Sequence, residues 1–200
     1  KKLKLEKRFT FWFLKGYYAA QTKEGHFLIY YPITFTDAAT AIGNHLEKAL
    51  NVLETESVGI YLTARMSLPI NVTLKPLKDT VFGDCDGEAL FFNTLKLKTA
   101  DDITAFESTP GHELMHLAQA QYGGHAPAFA GFHDTFPWYW MDEALSTWFE
   151  PYAMRRPDYI PTTVCPSCGT GTNTSDNYRS FVEQGLNPPG TAADENHGYG

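Results

Sequence analysis

The spacing of apolar and polar positions divides the first half of the chain into short strands and one long helix. Thr10–Leu14 and His26–Tyr31 are brief apolar runs, the second closed by Pro32, and both read as strands. Asp37 is suited to capping a helix, and Ala38, Ile42, Leu46, Ala49 and Leu53 recur after it at near-helical spacing. His45 lies beside that stripe and reads as a packed residue at the core edge. Ile60–Met66 and Ile70–Leu77 return to a strand pattern. In the second of these, Ile70, Val72 and Leu74 alternate with Asn71, Thr73 and Lys75. Gly83-Asp84-Cys85-Asp86-Gly87 reads as a solvated turn, because the first aspartate and the distal glutamate of a calcium loop are not in place. Glu88–Asn93 follows as another strand.

The second half reads differently. Asp101 and Asp102 open a connecting segment, and Thr109-Pro110 then supplies a cap followed by proline at the first helical position. The predicted helix runs to about Tyr122, where Gly123-Gly124 stops it. A second helix covers roughly Trp138 to Met154, and beyond Pro157 the chain is mostly turn residues. No repeat and no linker divides the chain. The expectation is one α+β domain over 1–200: a strand-rich upper part with one long helix (1–110), a pair of helices (111–155) and a loop-rich C-terminal part (156–200).

Composition narrows the function. The 200 residues are 43% hydrophobic and 20% charged, ordinary values for a globular chain, and the net charge of −7 argues against a nucleic-acid surface. No apolar run approaches the roughly 18 residues of a membrane span. Cys85, Cys165 and Cys168 are too few for a four-cysteine zinc ribbon. Cys165 and Cys168 could form a local disulfide, half a metal site or a redox pair, and a bridge stapling a Pro/Gly-rich loop is favoured.

The chemistry concentrates in His112-Glu113-Leu114-Met115-His116. Histidines at i and i+4 share one helical face and can reach one zinc ion, while Glu113 can address a water on that metal. With 7 histidines and 12 glutamates, chance would place such a pentad in a chain of this composition roughly 0.015 times. A catalytic zinc needs three protein ligands and an open position. The continuation HExxHxxGxxH fails, because Gln119 and Tyr122 occupy its glycine and histidine positions. A glutamate from the second helix remains, and Glu143 is the candidate. On that helix Leu145, Trp148, Phe149 and Tyr152 form one apolar face, while Trp140, Glu143, Ala144 and Thr147 fall on another. A buried glutamate is costly without a partner, and a metal is a suitable one. His125, His133, Asp134 and Glu150 are competing ligands.

The pentad followed by Asp142-Glu143-Ala144 resembles the gluzincin metallopeptidases, which include thermolysin-like proteases and zinc aminopeptidases. The resemblance covers roughly Phe27 to Tyr152. It implies a zincin-like domain: a twisted mixed sheet whose edge strand lies over the active-site helix, followed by a second ligand helix. It implies one zinc ion per chain held by His112, His116 and Glu143, with Glu113 as general base for attack of water on a peptide bond. In that family the edge strand pairs with substrate, and Glu88, Ala89, Leu90 and Phe91 match it; strand addition gives a physical reason for such binding. Asp142 stands where the family usually has asparagine, and Thr147 where thermolysin-like members have an aspartate supporting a histidine ligand. Ser146 and Thr147 are left as hydrogen-bonding groups behind the ligands. Gluzincins place a later Tyr or His over the scissile carbonyl. Tyr199 is the candidate, with His197 next, and a frayed terminal loop is the competing reading. The chain stops there, so either it is a trimmed piece or the helical lobe is missing.

The expected partner is a peptide or protein substrate. An endopeptidase is the first reading. An aminopeptidase is the second, with Glu88 anchoring a free amine, and a surface module holding zinc without turnover is the third. Asn71-Val72-Thr73 and Asn173-Thr174-Ser175 fit glycosylation acceptors. With a Cys165–Cys168 bridge and the habits of the clan, they lead to an expectation of a secreted or cell-surface protein whose leader is absent from this chain.

Overall fold

Alternating burial along three short strands sets up the centre of the molecule. In the computed structural model, which describes residues 16–56, 58–79, 81–122 and 139–156, β2 (Phe27–Pro32) buries Phe27, Ile29 and Tyr31, and β3 (Ile70–Lys75) buries Ile70, Val72 and Leu74. β5 (Ala89–Asn93) buries Leu90 and Phe92. This two-residue period gives each strand one apolar face. β1 (Tyr17–Gln21) pairs antiparallel with β2, and β4 (Gly83–Cys85) pairs antiparallel with β5. The β2–β3 and β3–β5 pairs are parallel, so the sheet is mixed, in the order β1-β2-β3-β5-β4.

α1 (Thr36–Asn51) makes the crossover between β2 and β3. Its buried residues Ala38, Ala39, Ile42, Leu46, Ala49 and Leu50 follow the predicted stripe, and a π-helical turn over Val52–Glu56 carries Leu53 into the core. α2 (Ala100–Ala105) is short and opens with a capping box between Thr99 and Asp102. α3 (Thr109–Gln121) packs on β4, β5 and α1; α4 (Tyr139–Met154) packs on α3 and α1. Lys48 Nζ on α1 donates to the Met154 carbonyl at 2.6 Å, tying down the C-terminal end of α4. None of the helices among the described residues is long and apolar enough to cross a membrane.

Several expectations need correction. Ile60–Met66 is not a strand: it holds a 3-10 turn at Leu62–Ala64, where the Arg65 and Met66 amides bond back to the Leu62 carbonyl. The strand at Tyr17–Gln21 was not anticipated, and Thr10–Leu14 lies outside the described residues. Gly83–Cys85, expected as a turn, is the outer strand of the sheet. The turn proper is shorter. Asp86 Oδ1 accepts the amides of Glu88 and Ala89, and Gly87 takes a φ of +87°, which glycine adopts freely. As a result Ala89, Leu90 and Phe91 are interior, paired to β3 on one side and to β4 on the other. They cannot be the edge strand, and Glu88 sits in the turn before them.

A candidate metal centre between two helices

α3 and α4 meet along a ladder of side-chain contacts whose residue numbers rise on one helix as they fall on the other. At one end, a Cβ built on Gly111 would lie against Ala153. One residue on, His112 Nδ1 is 2.9 Å from Glu150 Oε1. A turn later, His116 Nδ1 lies 2.9 Å from Gln119 Oε1 and 3.2 Å from Ser146 Oγ. The ladder ends where Gln119 Nε2 donates to the Asp142 carbonyl at 2.9 Å. The α4 face that meets α3 is therefore Glu143, Ser146, Glu150 and Ala153, spaced at three and four residues as helix geometry requires.

Between the rungs, three donor groups converge. His112 Nε2 and His116 Nε2 are 3.1 Å apart. Glu143 sets one carboxylate oxygen 3.3 Å from the first imidazole and the other 3.4 Å from the second. Tetrahedral zinc bonds of about 2.0–2.2 Å separate ligand atoms by about 3.3–3.6 Å, so the spacing suits a small cation. The donor chemistry fits as well. Each Nδ1 is engaged by a partner on its outer side, which leaves the two Nε2 atoms facing one another and Glu143.

The surroundings are rich in carboxylates and largely buried. Burial opposes charge on His112, but hydrogen bonds to Glu143 and Glu150 and the nearby charge of Glu113 outweigh it, raising its pKa well above the usual imidazole range. His116 is raised by the same contest between burial and Glu143. Burial alone would raise the Glu143 carboxyl; the two imidazoles reverse that and hold it well below the usual carboxylate range. Burial pushes Glu113 up to about 7, against the pull of both histidines. One oxygen of Glu150, Oε2, is buried and has no hydrogen-bond partner among the described residues. The carboxylates hold protons on the two imidazoles of the metal-free site, and a metal cation bound there would take the place of those protons.

Glu113 reaches toward β4. A Cβ built on Gly83 of β4 would lie 2.6 Å from Glu113 Cγ and Oε1, so this carboxylate rests against the outer strand of the sheet. His112, Glu113, His116 and Glu143 are thus brought into one site, as their spacing predicts. Ser146 takes the anticipated supporting place at His116. Thr147 is buried beside it, but among the described residues neither imidazole bonds to it; Glu150 supports His112 instead. The face assignment on α4 also needs correction. Leu145, Trp148 and Tyr152 are 43%, 42% and 43% exposed, whereas Glu143, Ser146, Thr147 and Glu150 are buried with Phe149. Tyr199, His197, His125, His133, Asp134, Cys165 and Cys168 lie outside the described residues.

Four residues add to the site beyond those the sequence singles out. Glu150 reads in the sequence as a rival ligand, yet its place two turns beyond Glu143 is a usable signal for a supporting role. Gln119 stands three residues beyond His116 on the same face, a spacing that places it beside that imidazole. Gly83 and Gly111 act through space they leave open, which depends on neighbouring elements. No protein-family model, curated protein or solved structure matches the chain.

Proposed function

We propose that this protein is a zinc-dependent peptidase. The observation that carries the proposal is the convergence of His112, His116 and Glu143 on one point, with Glu113 buried on the neighbouring face of the same helix. His112 Nε2, His116 Nε2 and Glu143 hold the ion, oriented from behind by Glu150, Gln119 and Ser146. Zinc in such a site polarises a carbonyl and acidifies water near neutral pH. Glu113 takes the proton of the attacking water on its carboxylate and passes it to the leaving amine. Its buried position keeps that carboxylate poorly solvated and suited to exchanging a proton near neutral pH.

The substrate strand belongs against β4 rather than β5. Among the described residues β4 pairs with β5 alone, so as the last strand of that sheet it has a second edge on which an extended peptide could pair. A peptide paired there would run past Gly83, where Glu113 lies.

Elemental analysis and hydrolysis of an internally quenched peptide, with and without chelator, test the proposal. One zinc per chain and chelator-sensitive cleavage are expected. Glu113→Gln should keep the ion while cutting the rate by about 10²–10⁴-fold, the usual contribution of a positioned general base. Zinc binding without any cleavage by the parent would point to a non-catalytic module. Protein that holds no zinc would overturn the reading entirely.

A further inference from the structure

We infer that Gly111 and Ala153 together act as the spacer that sets the distance between the two ligand helices, and so make the metal centre possible. The inference rests on the metal-site reading above and concerns what positions the ligands, not which residues they are. Gly111 stands in the first turn of α3, immediately before His112. Its backbone does not adopt a positive φ, so no conformational need selects glycine there. Alanine is the better helix former. Space is the remaining reason, and the structure supplies it: a Cβ on Gly111 would lie 2.5 Å from Ala153 Cβ, with Ala49 Cβ and Phe149 Cε1 next at 3.9 Å.

Carbon atoms in contact settle at about 3.5–4.0 Å. Ala153 Cβ is fixed to its backbone and cannot swing aside, so a methyl at position 111 must drive the helices apart by about 1 Å or more. Ala49 of α1 and Phe149 of α4 already stand at contact distance in the other directions, which limits how far the methyl can shift. The displacement falls on the rung beside His112 and Glu150, which adjoins the contact of His112 with Glu143. Metal sites tolerate distance changes of only about 0.2 Å before the fit degrades. Gly111 and Ala153 are accordingly positioning residues, a pair small enough for His112 to reach both its outer carboxylate and the proposed ligand Glu143.

The test is zinc affinity, measured by competition with a chromophoric chelator on the full chain, with folding followed by circular dichroism. Gly111→Ala should weaken zinc binding at least tenfold. The double variant Gly111→Ala/Ala153→Gly moves the methyl to the other helix and should return affinity to within about threefold of the parent, a rescue that a general loss of stability would not show. Ile29→Ala, a buried change on β2, which β3 and β5 separate from β4 in the sheet, serves as the control that lowers stability while leaving the affinity of folded protein unchanged. A folded Gly111→Ala that binds as tightly as the parent overturns the inference. A folded double variant no better than the single one does so as well. If Gly111→Ala does not fold, the double variant decides: folding with native affinity supports the spacer, and failure in either respect refutes it. A parent chain that binds no zinc refutes the metal site itself, which separates the two claims.

Discussion

Gly83→Ala separates the general base from the metal more cleanly than a change at Glu113 itself. The introduced Cβ would sit 2.6 Å from Glu113 Cγ and Oε1 and 2.8 Å from Cδ. Ordinary contact distances of about 3.5–4.0 Å require one partner to yield by about 1 Å. Gly83 is held in register opposite Phe92 of β5, and its φ is not positive, so the strand has no reason to leave its place. Glu113 is the flexible partner and its carboxylate yields. The cost to stability is therefore small, in contrast with Gly111, where the opposing atom is a Cβ.

The cost to catalysis is not small. A displacement of about 1 Å at a reacting group costs on the order of 10²-fold in rate, or about 2.7 kcal/mol of transition-state stabilisation. Steady-state hydrolysis of a quenched peptide should show kcat falling by about that factor, with zinc content and melting temperature close to the parent. The geometry predicts this retention, since among the described residues the side-chain contacts of His112 and His116 come from α3 and α4. Two results would refute the reasoning: full kcat, which would mean that Glu113 is not used where it stands, or loss of zinc, which would mean that β4 supports the ligands as well.

Glu150→Gln should weaken zinc binding about 10–100-fold, the usual effect of removing the carboxylate behind a histidine ligand; chelator competition showing no change would remove Glu150 from the site. Metal-free protein should lose stability as pH rises above the ordinary imidazole value of about 6.5. Raised folded pKa values mean that the contribution of protonated His112 and His116 is complete below that point and is lost through their folded values. Glu113, raised by burial to about 7, works in the same direction between its unfolded and folded values. Zinc replaces those protons, so the melting-temperature gap between zinc-loaded and chelator-treated protein should widen from pH 6 to pH 8, and a constant gap would count against the linkage. Burial raises the Cys85 pKa against a hydrogen bond from the Gly87 amide, so its thiol stays protonated and iodoacetamide at pH 8 should label it far more slowly in folded than in unfolded chain, as read by peptide mass mapping.

Patterns that record a local period were legible in the sequence. Ile70, Val72 and Leu74 alternate because one sheet face is buried, and the α1 stripe recurs because one helix face is. Where pairing depends on a distant segment, the pattern misled. Gly83-Asp84-Cys85 carries no strand propensity and becomes β4 because β5 offers it an edge. Ile60–Met66 has apolar residues of strand character, yet Glu54 accepts the Thr63 amide at 2.6 Å and the chain closes into a tight turn.

α4 shows why half of the site was hidden. Apolar periodicity assigns Leu145, Trp148 and Tyr152 to the core, and a helix with no function would follow that rule. Here the face carrying Glu143, Ser146 and Glu150 is buried instead, and the rings of Trp148 and Tyr152 pack against each other at a tilt, centroids 4.7 Å apart, on the exposed side. Burying two carboxylates is unfavourable unless opposite charge compensates them. The imidazoles of α3 provide part of that compensation, and a dipositive ion would provide the rest. The inversion therefore has a definite consequence for a variant lacking Glu143, Glu150 and both histidines. With the reason for burying that face removed, a helix so altered should pack its aromatic face inward or lose its place beside α3. Retention of the present orientation would show that Phe149, Ala153 and the Lys48 contact to Met154 fix α4 without help from the polar cluster.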